Sequence, residues 1–440
     1  MTSIKGLANF SLDSSLVRLA QMVGARAFMH IMNFIVMIVL ARKLGPTAFG
    51  VYAFAVLIGA SLGELVLGAG MDMAAVRLSA PYWRDDPEQA WAVFQVVGLV
   101  KVVLGLSIIA IGFVSMDWIS GFLLHYAEAP LAVHTACLAA LPLSLTEFAL
   151  AIFQARQHFG SLAVLSFGVA IVRATPILAL TASPGLTVST ALPVYVWSLY
   201  LGCALVLAPS IRCLVSTWGT YRRLFKDVLD YVGWLTLATM IAALTNSLDT
   251  LALSYFNGAA AVGLYAAART FTIGIAVPTM ATFAVLLPRF GGMRDHVERR
   301  QGLVRASRPL IGAAGIIVCA EFVLAPLLVQ GFYGDGYLEA VPVLRVLAFV
   351  YSLDLAAITL IVFFLGEGRP DILAKANAIG LFAVLGGYIW LVPPFGALGA
   401  ALALLSGRMV ALAACLIWLL LLVSSNVRNY HLSSEERFDA

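Results

Sequence analysis

Apolar residues run along this 440-residue chain in blocks of roughly 20, separated by short segments rich in charge, Pro or Gly. A block of about 20 residues, at ~1.5 Å rise each, crosses the hydrocarbon core of a bilayer as an α-helix. Reading blocks against breaks predicts twelve spans, near 20–41, 48–70, 91–114, 131–154, 160–182, 190–211, 231–255, 263–287, 304–329, 340–365, 372–392 and 397–423. The longest breaks, near 71–90, 212–230 and 288–303, read as polar loops too short for a separate soluble domain.

Composition agrees with that pattern. Hydrophobic residues make up 62% and charged residues only 11%, whereas a soluble domain carries about 25% charged residues. The expected fold is therefore an all-α polytopic membrane protein with about 12 transmembrane helices. The first 16 residues are polar and amphipathic and lack a small-residue cleavage site, so the first span itself is expected to direct insertion. The five cysteines lie in or beside apolar segments and form no CxxC or Cys/His cluster, so no disulfide framework and no metal site is expected.

The distribution of Lys and Arg sets the orientation. With the N-terminus placed in the cytoplasm, 19 of the 27 cations fall on the cytoplasmic side, only Arg42 and Lys43 fall outside, and six lie within spans. Positive residues are retained inside during insertion, so both termini are expected in the cytoplasm. The segment from Arg289 to Arg308 holds six arginines. It is read as a topology signal, with contact to anionic headgroups as the second reading.

Residues 44–55 (LGPTAFGVYAFA) and 257–268 (NGAAAVGLYAAA) match at six of twelve positions at a constant offset of 213. The matches are Gly45/Gly258, Ala48/Ala261, Gly50/Gly263, Tyr52/Tyr265, Ala53/Ala266 and Ala55/Ala268. Chance similarity between Ala/Gly-rich segments is the alternative, but the Gly-x4-Gly-x-Tyr spacing is kept and each copy opens the second helix of a half. Two halves of equal orientation, 1–225 and 226–440, are expected to form a parallel repeat about an axis along the membrane normal, the arrangement that suits alternating access.

An ionisable side chain at membrane depth costs several kcal/mol unless it is paired or faces water. The basic set is Arg26, Lys101, Arg173, Arg269, Arg345 and Arg408; the acidic set is Glu64, Glu147, Asp249, Glu321 and Asp354, with Asp72 at the cytoplasmic boundary. The two sets nearly balance, so mutual pairing is the structural alternative for each. Arg26, His30 and Asn33 share one helix face at i, i+4 and i+7, as do Tyr265, Arg269 and Thr272. Asn246 and Asp249 are neighbours at i, i+3, and Asp249 and Arg269 lie at similar depth, which would allow an ion pair. Pro142, Pro176, Pro278 and Pro326 fall inside spans, where proline bends a helix.

The run ARKLGPTAFGVYAFAVLIGASLGELVLGAGMDMAAVR (41–77) resembles the first-half signature of the polysaccharide transporter and Wzx-type O-antigen flippases. That branch shares a superfamily with the lipid II flippases and the MATE exporters. FNGAAAVGLYAAARTF (256–271) and FGALGAALALLSGRM (395–409) fit the same pattern. The resemblance covers essentially the whole chain and implies two six-helix bundles forming a V-shaped central cleft. It also implies flipping of an undecaprenyl-diphosphate-linked oligosaccharide in a bacterial inner membrane. The family lines its cavity with the first two helices of each half, which places Arg26, Glu64, Asp249 and Arg269 toward the substrate. Unlike the lipid II flippases, this chain lacks two further C-terminal helices, so their lipid-tail groove is not carried over.

Chemistry agrees with an anionic substrate, since a diphosphate carries about two negative charges and Arg binds phosphate bidentately. The substrate-binding candidates are Arg26, Arg269, His30, Asn33, Arg173 and Lys101. Asp249, Glu64, Asp354 and Glu147 are the candidates for coupling or gating. No cofactor is expected. H⁺ or Na⁺ is the candidate coupling ion, with membrane potential as a further source. A polysaccharide polymerase and a chain-length regulator are the expected protein partners, and nucleic acid is not one. GxxxxGK[ST] and HExxH are absent from the chain, which argues against a P-loop pump and against a zinc-peptidase-type enzyme. The competing reading is a MATE-like ion-coupled exporter of small molecules, for which an acid-dominated cavity would be expected.

Overall fold

The computed structural model describes residues 2–80, 82–115, 121, 129–216, 247–293, 296–367 and 369–435. Its helices are α1 (Thr2–Leu67), α2 (Ala69–Ser79), α3 (Tyr82–Asp85), α4 (Pro87–Val114), α5 (Ala129–Ala155), α6 (Phe159–Thr181) and α7 (Val188–Ser216). They continue as α8 (Ser247–Phe271), α9 (Ile273–Gly292), α10 (His296–Tyr333), α11 (Ala340–Gly366) and α12 (Pro370–Glu435). Among the described residues, nine helices are long and apolar enough to cross a membrane. The protein is a multi-pass, all-helical membrane protein.

Three helices, α1, α8 and α12, bend at a single glycine with positive φ, namely Gly45 (75°), Gly258 (77°) and Gly396 (54°). These positions coincide with three of the breaks expected between spans. At the first bend Pro46 follows Gly45. Glycine reaches the left-handed backbone region without a Cβ clash, and proline, lacking an N–H, is suited to start the next helix. Two segments expected as loops are instead largely helical. α2 and α3 occupy most of 71–90, and α10 begins at His296, within 288–303. The physical reason in the first case is that Met71, Ala74 and Ala75 are buried against Trp91, Phe94, Phe148 and Ile152. The expected span at 231–255 lies mostly outside the described residues, as do Asn246 and the boundary at 225/226.

The chain forms two compact units. The first comprises Met1–Ala267 with Phe332–Gly336. Its helices meet through small residues, because lipid tails supply no hydrophobic drive between helices and close packing must replace it. Gly98, Gly105 and Gly112, spaced by seven along α4, abut Phe148, Leu141 and Cys137 of α5. Gly59 and Gly63 of α1 abut Ala136, Ala139 and Ala140 of α5. α5 is thus packed on two sides. α4 starts cleanly, with Asp86 Oδ1 accepting from the Gln89 N–H at 3.2 Å and Pro87 in the first turn.

The second unit comprises Ala268–Gly331 with Tyr337–Ala440. Phe290, Val362, Phe363, Phe364, Ile372 and Cys415 form its core. The two arms of α12 fold together at Gly380/Gly407 and Gly387/Ala403. Near the start of α10, Arg299 donates to Glu367 at 3.1 Å and to the Met293 carbonyl at 2.5 Å. Large apolar side chains stand outward in both units, for example Trp197 (70% exposed), Phe382 (74%) and Trp390 (81%). Such surfaces fit contact with lipid.

Candidate functional site

α5 carries a short polar run, Ser144-Leu145-Thr146-Glu147, in an otherwise apolar helix. Successive residues step by about 100° around a helix, so Ser144, Thr146 and Glu147 point in three directions. Each meets a cation from a different helix. Lys101 of α4 donates to Ser144 Oγ at 2.9 Å. Arg173 of α6 donates through Nη2 to Thr146 Oγ1 at 2.9 Å. Arg26 of α1 stands 3.8 Å from Glu147 Oε2.

The three contacts differ in burial, and the difference assigns their roles. Lys101 is fully buried, and its ammonium also lies 2.9 Å from the Asp72 carboxylate and 5.9 Å from the Phe148 ring centre. A buried ammonium requires such a neutralising partner. This is why Asp72 sits on a packed helix rather than at an open boundary. Arg173 is half-buried, and its Nε–H has no hydrogen-bond partner among the described residues. The Thr146 hydroxyl, which accepts from Arg173, itself donates to the Pro142 carbonyl at 2.6 Å. Arg26 and Glu147 are about half exposed, at 52% and 49%. Their separation exceeds the 2.7–2.9 Å typical of a charge-assisted N–H···O bond, so the guanidinium is not locked to the acid.

His30 and Asn33 are exposed with Arg26 on one face of α1, while Ala25, Val36, Met37 and Leu40 are buried on the other. Three cations and two carboxylates around one turn leave a positive excess. The cluster gathers Arg26, Lys101, Arg173 and Glu147 from positions far apart in sequence, beside the His30/Asn33 face. Ser144 and Thr146 were not among the expected residues, although the polar run at 144–147 inside an apolar block marks them.

The remaining candidates lie elsewhere. Asp249 is buried, and it accepts from Tyr265 Oη at 2.8 Å and from the Thr250 hydroxyl at 3.0 Å. Arg269 is half-buried in the second unit, and Glu64 is exposed near the end of α1. Asp354 of α11 lies 3.5 Å from Arg408 of α12, with each side chain about one-third exposed. Arg345 donates to the Phe322 carbonyl at 3.1 Å and lies over that ring at 4.3 Å.

A helical fold with glycine-packed spans and a cluster of membrane-depth cations defines the class, a multi-pass transporter-like membrane protein. The chain belongs to the family described as polysaccharide biosynthesis protein, whose sequence model matches residues 21–293. A Shigella flexneri protein provisionally described as an O-antigen transporter is 22% identical over 395 residues, covering 86% of this chain and 91% of that one. The fold is similar to that of the lipid II flippase MurJ in its inward closed conformation, with TM-score 0.72 and 13% identity over 90% of this chain and 86% of that one. It is equally similar to an inward-facing multidrug transporter of the MATE family, with TM-score 0.73 and 16% identity over 90% and 95%.

Proposed function

We propose that the protein flips an undecaprenyl-diphosphate-linked oligosaccharide from the cytoplasmic to the outer leaflet by alternating access of two six-helix halves, 1–225 and 226–440. The convergence of Arg26, Lys101 and Arg173 on the turn at 144–147 carries this reading, because it places excess positive charge at membrane depth, where an anionic headgroup must pass. Family membership and the similarity to an O-antigen transporter support the glycan as cargo. The Lys/Arg distribution supports both termini in the cytoplasm, and the family resemblance supports a bacterial inner-membrane location.

In this reading Arg26 takes the diphosphate, with His30 and Asn33 beside it. A half-exposed Arg at membrane depth faces water rather than lipid, and its loose contact with Glu147 lets phosphate oxygens replace the carboxylate. Lys101 holds Asp72 and Ser144 and acts as scaffold, while Arg173 backs the turn from behind. Glu147, once released from Arg26, serves coupling or gating, with H⁺ as one candidate ion. Asp249, Glu64 and Asp354 are further acids for coupling, with Na⁺ or membrane potential as alternative sources. Arg269 serves the substrate from the second half. A polysaccharide polymerase and a chain-length regulator would receive the product.

The test is deletion of the gene followed by sidedness labelling of extracted lipid-linked glycan. Build-up on the cytoplasmic leaflet is expected, relieved by the intact gene but not by Arg26→Ala. A lost charge-assisted contact of about 1.5–3 kcal/mol corresponds to roughly 10- to 100-fold slower export. Normal export by Arg26→Ala would remove the site assignment. Unchanged glycan together with sensitivity to cationic toxicants would move the protein to the exporter reading that its MATE-like fold also accommodates.

A further inference from the structure

The two copies of the 213-residue repeat touch each other. A Cβ added to Gly50 would overlap the Ala259 carbonyl oxygen and come within 2.9 Å of the Gly263 nitrogen. A Cβ added to Gly263 would overlap the Pro46 carbonyl oxygen and lie 3.1 Å from the Gly50 nitrogen. Pro46 and Ala259 are themselves counterparts at the same offset. The contact is therefore reciprocal, residue for residue, as it is across a two-fold axis.

We propose that Gly50 and Gly263 form the outer gate of the transport path. The inference rests on the alternating-access reading above. In a parallel repeat the two halves are related by an axis along the membrane normal and rock against each other around the central site, so a contact centred on that axis at one face closes in one state and parts in the other. Gly50 and Gly263 lie one to two turns beyond the bends at Gly45 and Gly258. The bend at Gly45 belongs to the face carrying Arg42 and Lys43, which the Lys/Arg distribution assigns to the outside. Backbone meets backbone at the contact, so it can part without disengaging interlocked side chains. Residues 332–336 cover the same end. Phe332 packs edge-on with Phe34 at 6.1 Å, Gly336 lies 4.0 Å from Pro46 Cδ, and Tyr333 donates to the Ala267 carbonyl at 3.2 Å.

The test reads the gate without substrate. Asn33→Cys, on the exposed face of α1, is placed in a chain whose five native cysteines are replaced, and intact cells are treated with a membrane-impermeant maleimide. Labelling is expected to be slow with both glycines present and about tenfold faster with Gly50→Ala or Gly263→Ala, the size of response that a displaced two-state equilibrium gives. Glycan export, measured with Asn33 retained, falls in the same variants. Gly59→Ala, which crowds Ala139 and Ala136 inside the first half, is expected to leave labelling slow. Unchanged labelling in glycine variants present at normal levels in the membrane would overturn the gate. If those variants do not accumulate, Phe332→Ala, which removes a half-exposed ring, carries the test. A two- to threefold rise is then expected, on the order of a small shift in the same equilibrium, and no rise overturns the proposal. Faster labelling in a protein whose deletion leaves lipid-linked glycan undisturbed keeps the gate and removes only the substrate assignment.

Discussion

Gly45 and Gly258 bend their helices at nearly the same φ, 75° and 77°, and in both copies the tyrosine seven residues later is 1% exposed. The chemistry around those tyrosines diverges. Tyr265 donates to Asp249 at 2.8 Å, whereas Tyr52 packs edge-on with Tyr195 at a ring separation of 5.8 Å. At the repeat offset, Asp249 corresponds to Val36, a buried residue with no polar side-chain atom. Conversely, the counterparts of Lys101, Glu147 and Arg173 are Ala314, Leu360 and Gly386. Close backbone approach tolerates no added atom in either copy, so both keep glycine. A buried polar side chain needs only a local partner, so each copy has acquired its own.

Breaking the charge cluster of the first copy should have the largest effect. Lys101→Met leaves Asp72 as a buried carboxylate without its cation, a loss of about 3–5 kcal/mol. The thermal midpoint of the purified protein should fall steeply, and Lys101→Met with Asp72→Leu should recover most of it. A small shift in the single variant would show that water reaches Asp72. Next comes the tyrosine pair. Tyr265→Phe strips Asp249 of a donor and should cost about 1–3 kcal/mol, while Tyr52→Phe keeps its ring contact and should cost less than about 1 kcal/mol. Equal losses by the same unfolding measurement would erase the distinction between the copies. The smallest effect belongs to Arg408→Ala. Its pairing with Asp354 is part-exposed and long, so the change should stay within about 0–1 kcal/mol, and a larger shift would identify that pair as a buried lock of the second unit.

The helical membrane class was legible because length and apolarity of a span are local properties, and so was the repeat, because glycine at a bend or close approach is a local demand. The stripe of Arg26, His30 and Asn33 was legible from 3.6-residue periodicity and is indeed exposed on one face. Helical continuation through Met71, Ala74 and Ala75 was missed because that segment, short and flanked by charge, is carried by packing against Trp91 and Phe94 rather than by its own hydropathy. Lys101 was read as a substrate candidate from its charge alone. Its engagement by Asp72 and Ser144 depends on helices that are 29 and 43 residues away.

What this sequence determined by itself is that the chain spans a membrane many times and carries two glycine-hinged copies of one motif, since a bilayer demands internally bonded helices wherever apolar runs are long enough. Tertiary structure alone decided which charges within the spans meet. Arg26, Lys101 and Arg173 converge on one turn of α5 because three helices pack around it, and pairing at that range is set by the distance between helices, which no periodicity along a single helix encodes.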